Sequence, residues 1–245
     1  MTCLPLELGF TLKRWKHCLD VMLMKKSGVT DLSGLQTIIL FPVDCNFAFK
    51  HVGMTMMQVA ENTNTLAPEQ YGSRKGYMAI DLAINIALTF DILWQLKRTG
   101  AICSNDVKSC YDLICHTQAL LSMQRVGVPK NIINCLFTTL QEAIHKVCTG
   151  FGHSKGHYGG KVWLVPIHGI GQGNGVGPAI WAVVSSSLLN MLREKAYGYE
   201  ITCPLSSTYF KFVGYAFVDD MHIIQSALLE NPHQAISQLQ QAIDT

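Results

Sequence analysis

Phe217-Val218-Asp219-Asp220 sets two adjacent carboxylates between β-prone runs at Tyr209 to Val218 and Met221 to Gln225. That pattern constrains the chain to a hairpin with acids at its tip. Two carboxylates held this close repel each other as anions, so a fold that keeps them together gives them a cation to bind. A polar hairpin turn would also use Asp, and taken singly the dipeptide says no more than that. A third acid stands in Ala101-Ile102-Cys103-Ser104-Asn105-Asp106-Val107-Lys108, a short apolar approach that ends in Asp106 and gives way to a helical pattern. Two Mg²⁺ ions about 3.5 to 4 Å apart need carboxylates shared between separate elements, one ion activating the attacking oxygen and the other steadying the leaving oxygen. Asp106 and Asp219 suit that role.

The elements around these acids can be read from periodicity. Leu35 to Phe49 reads as a strand turning at Pro42 into another element. From Met78 to Lys97 the positions Ile80, Ala83, Ile84, Ala87, Leu88 and Ile92 recur at helical spacing, and Gly100 is the expected stop. Leu113 to Arg125 and Asn131 to Val147 suit helices separated by Gly127-Val128-Pro129-Lys130. Gly150 to Gly160 reads as a turn before a strand at Lys161 to Ile167. Pro178 opens a helix that continues from Ala179 to Arg193, because its missing donor costs nothing in a first turn. Strands, helices and a final hairpin in this order predict an α+β arrangement, with helices packed on an antiparallel sheet.

Composition bounds the partners. With 245 residues, 49% of them hydrophobic, the chain can bury a sizeable core. A net charge of +2 does not by itself mark a nucleic-acid binder, so local pairs carry that argument. Lys13-Arg14 with Lys16, Lys25-Lys26, Arg74-Lys75 and Lys97-Arg98 all lie in the first hundred residues. Nine scattered cysteines without a Cys-x-x-Cys give neither a disulfide framework nor a zinc ribbon. A reducing intracellular setting, nucleus or cytoplasm, is expected. Gly, Gln, Asn and Pro interrupt the uncharged part of Val162 to Leu192, which argues against a membrane span.

Four segments occur in a telling order: Gln70-Tyr71-Gly72-Ser73-Arg74-Lys75-Gly76, then Asp106-Val107-Lys108-Ser109-Cys110-Tyr111-Asp112, then Gly169-Ile170-Gly171-Gln172-Gly173-Asn174-Gly175-Val176-Gly177-Pro178, and last Phe217-Val218-Asp219-Asp220. The series resembles the reverse transcriptases (RNA-directed DNA polymerases) of retroelements, of the non-LTR and group II intron type, from about Leu35 onward. That resemblance implies a right-hand polymerase. Residues 1–98 would be fingers and 99–245 palm, with a fingers insertion at about 117–163 and the thumb absent from the chain.

It also implies roles. Asp106 and Asp219 would be the metal-binding pair, the Val107 carbonyl a further ligand, and Asp220 a supporting acid, around two Mg²⁺ ions for which Mn²⁺ can substitute. Asp112 would only favour a helix N-terminus. Tyr111 falls where the family keeps an aromatic against the sugar of the incoming nucleotide, where a ring would clash with a 2′ hydroxyl and select deoxynucleotides, although outside its motif the residue would read as a core aromatic. Arg74 and Lys75 offer two cations to a triphosphate; Ser73 stands where Phe is frequent in the family. Gly173 and its neighbouring glycines would let a base pair approach closely, and Gln172 would hydrogen-bond the template or nucleotide. The implied partners are an RNA template, a DNA or RNA primer and dNTPs.

Two other readings compete. One is a degenerate, catalytically inactive remnant that only binds nucleic acid. The other is an α/β-hydrolase, for Gly152-His153-Ser154-Lys155-Gly156 fits the nucleophile elbow, with Asp219 and His222 or His233 following in the permitted order. That elbow must join a strand to a helix, whereas here a turn into a hairpin is expected.

Overall fold

The computed structural model describes residues 3–25, 28, 31, 34–107, 109–160, 168–203, 205–228 and 231–245. The strand expected at Lys161 to Ile167, Lys108 of the Asp106 segment and Lys26 lie outside these. The described chain forms two compact units, one of Met1–Asn62 with Ser109–Trp181 and one of Thr63–Lys108 with Ala182–Thr245.

The first unit contains α1 (Cys3–Leu8), a short 3₁₀ helix (Lys13–Lys16), β1 (His17–Met24), β2 (Leu35–Leu40) and α2 (Val43–Asn62). It continues with α4 (Cys110–Leu113), α5 (His116–Arg125), α6 (Lys130–Gln141), β4 (Ile144–Thr149) and the two-residue strands β5 (Gly152–His153) and β6 (Tyr158–Gly159). Its sheet runs β2-β1-β4-β5, with β6 also on β4. β1 and β2 are antiparallel, whereas β1 and β4 run parallel with Cys18 opposite His145. Two sequence expectations are corrected here. The helix expected over Asn131 to Val147 ends at Gln141, because the β-branched, alternating stretch from Ile144 finds a ladder partner in β1. The helix expected over Leu113 to Arg125 is broken between Leu113 and His116, where Ile114 and Cys115 take extended backbone.

Two of the basic side chains near the N-terminus serve the fold. The Arg14 guanidinium donates to the Asp44 carboxylate at 2.9 Å through Nε, and the Trp15 indole N–H donates to the same oxygen at 2.8 Å. Lys16 pairs with Glu142. Asp20, fully buried, is held between His145 Nδ1 at 2.9 Å and the Tyr158 hydroxyl, which give its carboxyl the hydrogen-bond partners a buried polar group needs.

The second unit contains α3 (Ala79–Gln95), β3 (Arg98–Asp106), β7 (Tyr199–Thr202), β8 (Tyr209–Phe212), β9 (Gly214–Phe217), β10 (Asp220–Leu228) and α8 (Pro232–Ile243). The helix α7 (Gly177–Glu194), with Pro178 in its first turn, enters this unit at Ala182. β3, β10 and β9 form an antiparallel sheet in that order, and β7 pairs with β8 as a separate ribbon. The run expected as one strand from Tyr209 to Val218 is thus two strands divided at Val213, whose buried N–H faces Glu69. Gly100 does not stop α3. It lies inside β3, where a Cβ would meet Leu93 Cδ1 at 2.8 Å and Phe90 Cε1 at 3.1 Å, so its bare backbone is what lets the helix lie close.

Alternation along β10 sorts the sheet into two faces. Met221 and Ile223 pack with Leu189 and Leu192 of α7 and Leu239 and Ala242 of α8. Ile224, on the other face, packs with Leu82 of α3, Tyr199 and Tyr215. Three hydroxyls close that second cluster: Tyr199 and Tyr215 lie 2.5 Å apart, and each is 2.9 Å from Thr89 Oγ1.

Candidate active site

The two-residue hairpin between β9 and β10 pairs Phe217 with Asp220 and leaves Val218 and Asp219 in the loop. Val218 has φ +55°, a left-handed conformation that a β-branched residue adopts only under constraint. A backbone turning this tightly through positive φ at its first central residue matches the sign of a type II′ turn, whose twist suits the flanking strands. On the far side of β10, Asp220 lies directly opposite Asp106, the last residue of β3. Residues opposite each other in an antiparallel pair share a face. The two carboxylates are therefore presented together, and both residues are exposed. The ladder extends one step further, since the Val107 N–H donates to the Asp219 carbonyl at 3.1 Å. No described basic side chain forms an ion pair with Asp106, Asp219 or Asp220. Nor do the described residues hold any group of three or more His, Cys, Asp or Glu arranged to hold a metal ion.

The segment at Gln70 is bound to the same hairpin. The Ala216 N–H donates to Glu69 O at 2.8 Å and the Tyr71 N–H donates to Ala216 O at 2.7 Å, so residues 69–71 lie along β9. Gly72 then passes under the turn, where a Cβ would lie 2.2 Å from Val218 N. Gln70 fixes this approach by accepting from the Gly72 N–H at 2.8 Å and donating to Ser185 Oγ at 2.8 Å. Arg74 donates to the carbonyls of Gln70 at 3.1 Å and Ala67 at 3.5 Å, and its guanidinium stacks 4.4 Å over Tyr77. Lys75 is exposed.

Tyr111, Gln172 and Gly173 belong to the first unit. The Ile170 N–H donates to Tyr111 O at 2.8 Å, and a Cβ on Gly177 would lie 3.5 Å from the Tyr111 ring. Gln172 is anchored on β2: its carbonyl accepts from the Ile39 N–H at 2.7 Å, and its side-chain oxygen accepts from Gln36 Nε2 at 2.9 Å. At Gly173 a Cβ would sit 2.3 Å from Ile39 O, and φ is +111°, so only glycine fits. Asn46 brackets the loop, donating to Gly173 O at 3.2 Å and accepting from the Gly175 N–H at 2.6 Å. Asp112 lies in the first turn of α4; burial raises its carboxyl from the ordinary value, and the Gln172 N–H, which donates to it, acts in opposition.

With this geometry in place, residues 41–244 match the family model described as reverse transcriptase (RNA-dependent DNA polymerase). The chain belongs to the reverse transcriptase family. Among curated relatives it is 22% identical, over 144 residues, to the Retrovirus-related Pol polyprotein from type-1 retrotransposable element R2 of Popillia japonica, covering 58% of this chain and 22% of that protein. Among solved structures it resembles telomerase from Candida albicans in complex with a telomeric RNA fragment, at TM-score 0.61 and 11% identity over 95% of this chain and 39% of the other. Telomerase from Candida tropicalis truncated from its C-terminal domain gives TM-score 0.59 at 11% identity, over 95% of this chain and 47% of that one. The fold is thus the α+β right-hand polymerase fold expected from the motif order. The chain spans less than half the length of these relatives.

Sequence reasoning missed two supports of this candidate site. Ser104 and His222 share the face that carries Asp106 and Asp220, with Ser104 Oγ 2.9 Å from His222 Nδ1. Glu69, fully buried, is paired with Arg193 of α7. Only the alternation of β3 and β10 could have signalled the first, and nothing local signals the second. The hydrolase reading fails on geometry: Ser154 Oγ accepts from the Val147 N–H at 3.1 Å and donates to Gly156 O at 2.7 Å, closing a turn after β5. No described helix is long and apolar enough to cross a membrane.

Proposed function

We propose that this domain is an RNA-directed DNA polymerase that adds deoxynucleotides to a primer 3′ end by two-metal nucleotidyl transfer. The observation that supports it most is the register that sets Asp106 opposite Asp220 while Asp219 O bonds to the Val107 N–H. Carboxylates with no described cationic partner, at a strand end joined to a strained hairpin, are hard oxygen donors suited to Mg²⁺ or Mn²⁺. Asp106 and Asp219 would hold the ions, with the Val107 carbonyl and Asp220 supporting them. When bound, such ions steady the charge that develops on the attacking and leaving oxygens. The chain's own part is positional. The Gln70-to-Gly72 strip fixes the turn that carries Asp219, Arg74 and Lys75 supply cations for a triphosphate, and Tyr111 with Gln172 and Gly173 lines the nucleotide and template.

In this reading the sheet of β3, β10 and β9 is palm, and residues 1–98 and about 117–163 are fingers. An RNA template, a DNA or RNA primer and dNTPs are the partners. The described cysteines are all free, as an intracellular setting would keep them.

Primer extension on an RNA template tests the proposal. Incorporation by the chain should fall by about 10²-fold or more in Asp219→Asn, because a metal site contributes several kcal/mol to the transition state. Salt-sensitive RNA binding without any incorporation, unchanged by Asp219→Asn, would identify a non-catalytic binding remnant instead.

A further inference from the structure

The first unit carries a basic cavity that the polymerase reading does not use. It is about 510 Å³ in volume and opens at the ends of β1, β2 and β4. Its polar walls are His17 of β1, Lys146 of β4, and Lys155 and His157 of the turn that follows β5; Leu40 and Phe41 give an apolar side. All four polar residues are exposed, and no acidic residue lies among the described residues that line it. None of the four forms an ion pair with a described residue. The contrast with the neighbouring cations is informative, since Arg14 is neutralised by Asp44 and Lys16 by Glu142.

The turn bearing Lys155 and His157 is fixed in place. Ser154 binds β4 in both directions, its N–H donating to Val147 O at 2.8 Å while its Oγ accepts from the Val147 N–H, and Oγ then donates to Gly156 O. Lys155 is thereby held between two restrained residues, on the same cavity as Lys146. Two ammonium groups and two imidazoles present N–H donors here, and no acidic residue among the described lining residues receives them. Two ammonium groups on one cavity favour an anion between them. A phosphate group, with several charged acceptor oxygens, meets such a set better than a single carboxylate does. The volume falls in the usual range for a bound small molecule or one nucleotide of a strand, about 300 to 1,000 Å³.

We propose that this cavity is a phosphate-binding site, distinct from the carboxylate hairpin. The phosphate comes either from the backbone of a single nucleic-acid strand or from a free phosphate compound, and the test separates the two. Binding of a fluorescein-labelled single-stranded RNA to the full chain would be measured by anisotropy across a salt series. Calorimetry with inorganic pyrophosphate would be run in parallel. The variants are Lys146→Ala with Lys155→Ala and, as a control of equal charge change in the same unit, Arg125→Ala with Lys130→Ala.

If the strand is the source, the pocket pair lowers the slope of log K against log salt by about 1.4, two contacts at about 0.7 each, and the control pair leaves it unchanged. If a free phosphate compound is the source, the slope is unchanged and pyrophosphate binding is lost only in the pocket pair. Equal losses in both pairs, or no loss in either ligand, would overturn the site. Asp219→Asn should leave binding at this cavity intact, so its outcome is independent of the polymerase reading.

Discussion

At the scale of single residues, the hairpin tip depends on an absent atom and a strained one. Gly72 lies where any Cβ would meet the Val218 backbone at 2.2 Å, a distance no rotamer change can relieve because the obstacle is main chain. Gly72→Ala must therefore push the strip away from the turn, and overpacking of this kind costs about 1 to 3 kcal/mol. A urea midpoint lowered accordingly, with m unchanged, would be the expected outcome; an unaltered midpoint would mean that the strip and turn are not held this closely. The resemblance pointed to Gln70-Tyr71-Gly72 as part of a nucleotide-binding segment. What it could not give was the reason for glycine at that position, since the neighbour is about 145 residues away in sequence and is set only by the path of the fold.

At the scale of elements, charge pairs fasten one segment to another. Asp44, in the first turn of α2, receives Arg14 and Trp15 from the 3₁₀ helix. Burial alone would raise its carboxyl, but the hydrogen bonds from Trp15 and Arg14 outweigh that and hold it below the ordinary value of 3.8. A folded-state value lower than the unfolded one means that the ionised form favours folding. The stabilisation is full above the unfolded value and is lost as pH falls through the folded one. Wild type should thus exceed Asp44→Asn in stability near neutral pH, and that difference should shrink through the acid range below 3.8. Urea titrations at a series of pH values would check it, and a difference independent of pH would place the effect outside ionisation. Elements were legible where periodicity was long and unambiguous: the helix at Met78 to Lys97 and the one opened by Pro178 are found at Ala79–Gln95 and Gly177–Glu194. The error at Asn131 to Val147 arose because its last residues join a parallel ladder with β1, and periodicity within a segment cannot report a distant partner.

At the scale of the whole molecule, the residues proposed for polymerisation come from widely separated stretches of the chain. If Tyr111 selects the sugar, Tyr111→Val should admit ribonucleotides in primer extension while deoxynucleotide incorporation persists. Unchanged sugar selectivity would reduce Tyr111 to a packing residue. The chain of residues by itself determined the family, because the order of an acid-aromatic-acid segment, a Gln-Gly loop with its Pro and an Asp-Asp hairpin survives in one dimension. It also located the hairpin, since turn chemistry between β-prone runs is local, although the loop is Val218-Asp219 and Asp220 already opens β10. Tertiary structure alone decided that Asp220 faces Asp106, that Gly72 runs beneath Val218, and that Lys146 and Lys155 meet at one cavity. The physical reason for the first two is that register and close approach are set by long-range pairing, in which a shift of one residue would turn every side chain to the other face, whereas the two lysines meet because the β4–β5 hairpin folds back on itself.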